Sequence, residues 1–546
     1  LEPVGRESLD LLLNSFLTRM LFNCYGLTAS HWNDYKALYM HQNKSTFGSM
    51  EILCRELAGY RVTSSPLLPD FRLEGLFAEV TSITIIKENA RRRVIYLQTP
   101  TNGYFLKLSL LTRKKDRWRH FLLPYRKWAE WRNLHRLQKV RIPAAKPLAK
   151  GHRKGSHGGA FFLLTEQVPG ATLKFDSNQD AFIVGQYLSF LHSRGVYHGD
   201  LNRNNIILTP QGRLCLIDVQ ELVFLPRIPQ RLRVHNLGRI LFNFYSRSDP
   251  EQWAWELLKG YNKDAPKLLN ASAVIKAAER HQQWRYRSRS KRCCKNSTEF
   301  VIVKSDDWKG YKRKTFRWSP MDLRQALEKG QPLKGTHVIS YRGVCIKKHP
   351  RRRFHADRCL ISWKMSRALE VRGIAVPCSL GYFVINNISC FITELLVDRY
   401  HLNTYLSSLS EGKVKRRALK KLALWLRNFH DSNVWQRDFK SSNILCQNGD
   451  YFMVDLDGVR IRRLSEHNKI NNLAQLNASV SNAISIKDRL RFYHYYSADF
   501  QPTRQRRRAV YRKVWDITKT KNTKIYDLDF AELIESQIKV GPNNRI

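Results

Sequence analysis

Two stretches of this chain, HGDLNRNNIIL at 198–208 and QRDFKSSNILC at 436–446, set out similar polar side chains at the same spacing. In each, an Asp is followed five residues later by an Asn: Asp200 and Asn205, then Asp438 and Asn443. Each loop runs on through an apolar stretch to a further Asp, Asp218 in LCLIDV and Asp455 in FMVDLD, thirteen and twelve residues beyond the Asn. The chemistry that needs this spacing is phosphoryl transfer. A first carboxylate, Asp200 or Asp438, accepts a proton from the acceptor hydroxyl, while the Asn and the second carboxylate hold Mg²⁺ on the phosphates of ATP. The hairpin between them must bring the chain back to one metal site, so a fold is laid down twice.

The pattern around the loops predicts an α+β chain of two tandem protein-kinase-like domains, each with a small β-rich lobe and a larger helical lobe. An N-terminal helical extension at 1–75 is expected to precede them, with LDLLLNSFLTRMLF at 9–22 as a core helix or, as the alternative, an interfacial anchor too short to span a membrane. The first domain, 76–280, opens with the strands SITIIK, VIYLQ and YFLKLSL. A helix follows in which Trp128, Trp131, Leu134 and Leu137 recur at helical spacing. The polar segment 281–299 reads as a basic linker. The second domain, 300–500, repeats the series, with Ile361, Met365, Ala368 and Leu369 on one face of the helix ISWKMSRALEVRG. A basic C-terminal tail, 501–546, carries one possible helix at AVYRKVWDI.

Lys107, on the third strand of the first small lobe, is the expected anchor for the nucleotide's α and β phosphates. Glu130, in the next helix, is the carboxylate that would hold it by an ion pair. No G-x-G-x-x-G lies between the first two strands, where ENARRR stands instead. In the second domain Gln436 replaces His198, and aligning the two helices sets Ser362 opposite Glu130, so the lysine-orienting carboxylate is missing there. Lys347 or Lys348 is the phosphate-binding lysine, since strand alternation turns only one inward. Asp457 is a neighbouring metal candidate. The second domain therefore reads as an active kinase or as a pseudokinase that binds nucleotide or a partner without turnover.

The charge adds a constraint of its own: 94 Lys and Arg against 46 Asp and Glu leave a formal +48. That balance calls for an anionic partner, with RKKDRWR at 113–119, HPRRRFH at 349–355 and the Arg-rich tail as candidate contacts. The ten cysteines include no C-x-x-C pair, which points to a reducing cytoplasm and away from zinc or a disulfide framework. No run of eighteen or more uncharged apolar residues and no signal-peptide pattern occur, so neither a spanning helix nor export is expected.

The run GVYHGDLNRNNIILTPQGRLCLIDV resembles the lipopolysaccharide kinases of the Kdo/WaaP family, whose loop reads close to H-x-D-L-N-x-x-N-I-L-L before a strand ending in I-D. AEWRNLHRLQKVRIPAAKP and NLGRIL agree with it, as do RDFKSSNIL, MVDLDGVRI and NNLAQLNASV in the second half. The resemblance implies an ATP- and Mg²⁺-dependent kinase acting on Kdo or heptose of the lipopolysaccharide core or a lipid A precursor. It also implies a cytoplasmic protein, peripheral on the anionic inner membrane surface, with nucleic acid not expected as a partner. One departure is Asp218-Val219-Gln220 where the family has D-F-D or D-F-G. The competing readings are a divergent protein kinase, although neither domain shows an A-P-E element, and a pseudokinase scaffold that binds anionic membrane or nucleic acid.

Overall fold

The computed structural model describes residues 60–521, apart from 67, 69–70, 90–91, 111–127, 154–158, 174–176, 245–249, 264–268, 306–307, 411, 481–483 and 499–502. The helix expected at 9–22 and the basic run at 113–119 lie outside the described residues. The chain divides into two compact units, Leu1–Gln282 and Gln283–Ile546.

The small lobe of the first unit comprises β1 (Arg61–Ser64), α1 (Leu73–Glu79), β2 (Ser82–Asn89), β3 (Arg92–Gln98), β4 (Gly103–Leu110), α2 (Ala129–Lys139), β5 (Pro147–Arg153) and β6 (Ala160–Glu166). The strands form one antiparallel sheet in the order β1-β5-β6-β4-β3-β2. Leu106 and Leu108 of β4 enter the core beside Ile95, Leu97, Phe162 and Leu164, and the period of two turns Lys107 to the other face. The helical lobe follows: β7 (Ala171–Thr172), α3 (Asn178–Ser193), β8 (Val196–His198), β9 (Ile206–Leu208), β10 (Leu214–Leu216), β11 (Leu222–Phe224), α4 (Gln230–Leu241), α5 (Pro250–Asn262) and α6 (Ala271–Ser290). A reciprocal cap starts α3: Ser177 Oγ accepts from the Asp180 amide at 3.1 Å, and the Asp180 carboxylate accepts from the Ser177 amide at 2.9 Å. Gly185 lets α3 press on α5, since a Cβ there would lie 2.0 Å from the Leu257 carbonyl oxygen.

The second unit repeats this plan with β12 (Phe300–Lys304), β13 (Lys309–Arg313), α7 (Pro320–Lys329), β14 (Gln331–Lys334), β15 (Val338–Tyr341), β16 (Val344–Pro350), α8 (Arg358–Glu370), β17 (Ser379–Ile385) and β18 (Ile388–Glu394). Its sheet order is β12-β13-β17-β18-β16-β15-β14, so β17-β18-β16-β15 reproduces β5-β6-β4-β3. The helical lobe contains β19 (Tyr400–His401), α9 (Leu402–Ser408), α10 (Lys413–Asp431), β20 (Val434–Gln436), β21 (Ile444–Gln447), β22 (Asp450–Met453), β23 (Val459–Ile461), α11 (Glu466–Ser479), α12 (Ile486–Ser497) and α13 (Arg504–Lys519).

The expected boundaries move at three places. Within the supposed extension 1–75, β1 pairs with β5, and Tyr60 and Leu73 join the small-lobe core. The supposed linker 281–299 continues α6 to Ser290, and Cys293 is then buried with Phe300, Cys359 and Trp363, whose indole donates to the Cys293 carbonyl at 3.2 Å. In the supposed tail 501–546, Val510, Tyr511, Val514 and Trp515 form a stripe at helical spacing that joins the second helical core. On α8 the expected Ala368 and Leu369 are buried, but Ile361 and Met365 are only half-buried and Cys359, Ser362, Trp363 and Ser366 are buried instead, because the helix packs against β17, β18 and the turn at Leu456–Gly458.

If α13 belongs to the core, Trp515→Ala should cost about 3 kcal/mol in the unfolding of the second unit. Exposed Arg506→Ala, one of the tail arginines, should stay within about 0.5 kcal/mol. Urea unfolding followed by circular dichroism measures both.

Candidate active site

Asp200 sits in the loop between β8 and β9 with its side chain 63% exposed. Asn205 is buried behind it, and its Nδ2 donates to the Asp200 carbonyl at 3.0 Å. The Ile217 amide donates to the Asn205 carbonyl at 3.0 Å, which brings the neighbouring Asp218 to the same place. The second unit repeats these bonds: Asn443 Nδ2 to the Asp438 carbonyl at 3.0 Å, and the Val454 amide to the Asn443 carbonyl at 2.9 Å. Asp218 and Asp455 share a left-handed backbone, with φ of 55° and 59°. That conformation costs an L-residue on the order of 1 kcal/mol or more and concentrates at functional sites.

The loop is held from behind by a buried asparagine on the helix that follows. Asn236 donates to the His198 carbonyl at 2.8 Å and accepts from its amide at 3.3 Å; Asn472 treats Gln436 likewise at 2.7 and 3.3 Å. Beneath each asparagine lies a buried histidine hydrogen-bonded to a tyrosine: His192 Nδ1 to Tyr261 at 2.9 Å, and His430 Nδ1 to Tyr496 at 2.6 Å. His198 and Gln436, which differ in type, serve the loop differently. His198 Nδ1 accepts from the Asp200 amide at 3.2 Å, whereas Gln436 Nε2 donates to the Asp455 carbonyl at 2.9 Å.

The charge beside the loop Asp comes from different residues in the two units. Arg239 of α4 pairs with Asp200 and also donates to the carbonyls of Gly199 at 2.8 Å and Leu201 at 3.2 Å. Its counterpart Gln475 contacts the matching backbone, donating to Arg437 at 2.8 Å and accepting from Phe439 at 3.2 Å, but brings no charge. Lys440, at the position of Asn202, supplies it instead, 2.6 Å from Asp438.

Across the cleft, Lys107 forms an ion pair with Glu130 of α2. Arg92 lies 4.0 Å from Glu130 and 3.9 Å from Asp218, so the pair and the second Asp share one electrostatic neighbourhood. The two small lobes share one register: Tyr104 opposes Glu166 and Lys107 opposes Leu163, as Val344 opposes Glu394 and Lys347 opposes Phe391. Lys347, not Lys348, thus occupies the place of Lys107. Its ammonium pairs with Asp455 and lies 3.4 Å from Asp457. Ser362 does stand at the place of Glu130, because both helices exit through the same bond, Ile142 to Leu137 at 2.9 Å and Ile374 to Leu369 at 3.1 Å. A cavity of about 590 Å³ opens here, lined by Lys334, Lys347, Phe391, Asn443, Met453 and Asp455. This is ample for a nucleotide-sized ligand.

A magnesium ion fits these residues. Asn443 Oδ1 is buried without a hydrogen-bond partner among the described residues, an acceptor available to a cation beside the Asp455 carboxylate. Oxygen-only donors in small number suit an ion that keeps most of its shell as water and nucleotide phosphate. Sequence reasoning set Arg92 aside as part of a solvated turn and missed Arg239, Asn236, His192, Arg358 and Lys440. Comparing the copies side by side would have exposed the histidines, which lie six residues before His198 and Gln436 respectively.

Burial holds the supporting imidazoles well below the usual histidine range, His192 to about 4 and His430 to about 3. An unfolded histidine takes up its proton near pH 6.5. The stability each neutral ring provides is therefore complete above that pH and is lost as pH falls toward 4 or 3, by about 1.4 kcal/mol per pH unit per ring. The urea midpoint should drop between pH 7 and 5, and the double variant H192Q/H430Q, less stable at pH 7, should show a shallower drop. An unchanged slope would clear these rings of the effect.

Comparison with known proteins bears on the same residues. The 3-deoxy-D-manno-octulosonic acid kinases of Xanthomonas euvesicatoria pv. vesicatoria and X. campestris pv. campestris (strain B100) are 33% and 32% identical over 122 residues, 21% of this chain and 48% of theirs. The chain thus spans about half the length of the curated relatives it matches. Among solved structures, the bifunctional kinase-methyltransferase WbdD is 14% identical, covering 40% of this chain and 50% of that one at a TM-score of 0.23. The model of the lipopolysaccharide kinase (Kdo/WaaP) family matches residues 83–261 and again 335–496, more than half of the sequence and both loops, so the chain belongs to that family.

Proposed function

We propose that the chain is an ATP-dependent phosphotransferase whose acceptor is a sugar hydroxyl, of Kdo or heptose, in the lipopolysaccharide inner core. The observation that carries this reading is the convergence of Asp200, Asn205 and Asp218 on one buttressed loop, with the Lys107–Glu130 pair bridged to Asp218 by Arg92. Family membership supports the reaction class, and the relatives named as Kdo kinases support the sugar.

In this mechanism the exposed Asp200 carboxylate accepts the proton of the attacking hydroxyl, and Arg239 fixes its direction. Lys107, held by Glu130, meets the α and β phosphates. Asn205 and Asp218 would hold magnesium, which when bound neutralises charge on the phosphates. In the second cleft Asp438, Lys347, Asn443 and Asp455 take the same roles.

The enzyme works in the cytoplasm, peripherally on the anionic face of the inner membrane. Support comes from the +48 charge, from Phe354, 94% exposed beside Arg351, Arg352 and Arg353, and from the outward Lys413, Arg416, Arg417, Lys420 and Lys421 of α10. Each cation near such a surface contributes about 1 kcal/mol. Among the described residues no helix is long and apolar enough to cross a membrane.

Asp200→Asn and Asp438→Asn should each lower phosphate transfer by about 10²- to 10⁴-fold in the domain they affect. Core saccharide from cells carrying the double variant should lack a group of about 80 Da by mass spectrometry. Undiminished ATP consumption in the double variant would remove the kinase reading. Sedimentation with vesicles of anionic phospholipid should fall for F354S and in raised salt; binding indifferent to both would remove the membrane reading.

A further inference from the structure

The second cleft lacks a carboxylate at Ser362, yet its lysine is not without one. Lys347 lies 3.4 Å from the Asp457 carboxylate, which is 6% exposed and is itself paired with Arg358. Arg358 opens α8, one helical turn before Ser362, so that helix still reaches the lysine, through Arg358 and Asp457 in place of a direct contact. The first unit carries the reverse arrangement. Glu130 stands on the helix, and the position of Asp457, two residues after the metal-site Asp, holds an exposed glutamine, Gln220. Each cleft thus has one carboxylate to orient its lysine, on the helix in one and on the turn in the other. The exchange parallels that beside the loop Asp, where Arg239 with Asn202 gives way to Gln475 with Lys440.

We propose that Asp457 is the positioning residue for Lys347, doing from the turn what Glu130 does from the helix, and that the second cleft is on that account a working adenine-nucleotide site. The proposal rests on the nucleotide reading of the clefts given above. Its physical basis is electrostatic. An ammonium 15% exposed needs a fixed counter-charge to stay aimed at incoming phosphates, and Asp455 cannot serve as one while it also binds a cation. Arg358 keeps Asp457 turned toward the lysine and away from solvent.

The test uses the full chain with Lys107→Met, which silences the first cleft, titrated calorimetrically with ADP with and without magnesium. The K107M chain should bind one equivalent. Adding D457N should weaken binding at least tenfold, in EDTA as well as in magnesium, since the effect passes through the lysine. Adding S362E to that chain should restore binding to within about threefold, because it returns the carboxylate to the helix. The mirror experiment, in a K347M chain, should find E130S weak and E130S/Q220D restored. Circular dichroism melts confirm that each variant folds. Binding unaffected by D457N, a loss confined to magnesium, or a loss that S362E and Q220D both fail to repair would overturn the proposal while leaving the nucleotide reading in place. A K107M chain that binds no ADP would overturn the nucleotide reading of this cleft and the proposal together.

Discussion

The side chain of Asn236 bonds to both backbone groups of His198, and that of Asn472 does the same to Gln436, in the way a neighbouring strand would. The rest of the site depends on this brace. Asp200 and Asp438 are 63% and 56% exposed, so neither is fixed by packing around its own head group. Their positions have to be set from below. The asparagines supply that support; under Asn236 the His192 ring bonds both the asparagine Oδ1 and the Tyr261 hydroxyl, buried polar groups that would otherwise cost about 1–3 kcal/mol each, while His430 bonds the Tyr496 hydroxyl. A shift in the following helix would therefore move that loop directly.

Above this shared frame, the charged groups are arranged differently in the two units. The cation beside the loop Asp comes from α4 in one and from the loop itself in the other; the counter-charge to the lysine comes from α2 in one and from the turn after the second Asp in the other. Breaking one partner of a buried pair leaves an uncompensated charge worth about 3–5 kcal/mol. On the proposed reading that penalty is met by one carboxylate in each cleft, Asp457 beside Lys347 where the helix carries Ser362, and Glu130 beside Lys107 where the turn carries Gln220.

What the sequence disclosed follows from what phosphoryl transfer fixes along the chain. The Asp-to-Asn interval, the hairpin to the second Asp and the lysine strand are local spacings, and the structure brings the Asn and the second Asp beside the loop Asp in each unit. Lys347 and Lys348 could not be told apart without a register, which the pairing of Glu394 with Val344 provides. The contact between Lys347 and Asp457 was invisible because 110 positions separate them and nothing local couples the two. Polarity misled at both ends of the second unit. Segment 281–299 is basic, yet it buries Cys293, and the arginines of 504–508 drew attention from the apolar stripe one turn later.

The left-handed backbone at Asp218 and Asp455 ties these strands of argument together. Glycine would adopt that geometry without strain, and Asp is among the few L-residues that enter it at modest cost. The strain persists because the backbone on either side is fixed: the preceding residue bonds to the loop Asn, and the residues that follow enter a short strand paired with the one leading into the loop. In the second unit the same turn carries Asp457 two residues on, and both carboxylates lie beside the Lys347 ammonium. The same backbone at Asp218 leads to Gln220 in the first unit, so the side chain at that position, on an unchanged turn, is what distinguishes the two clefts.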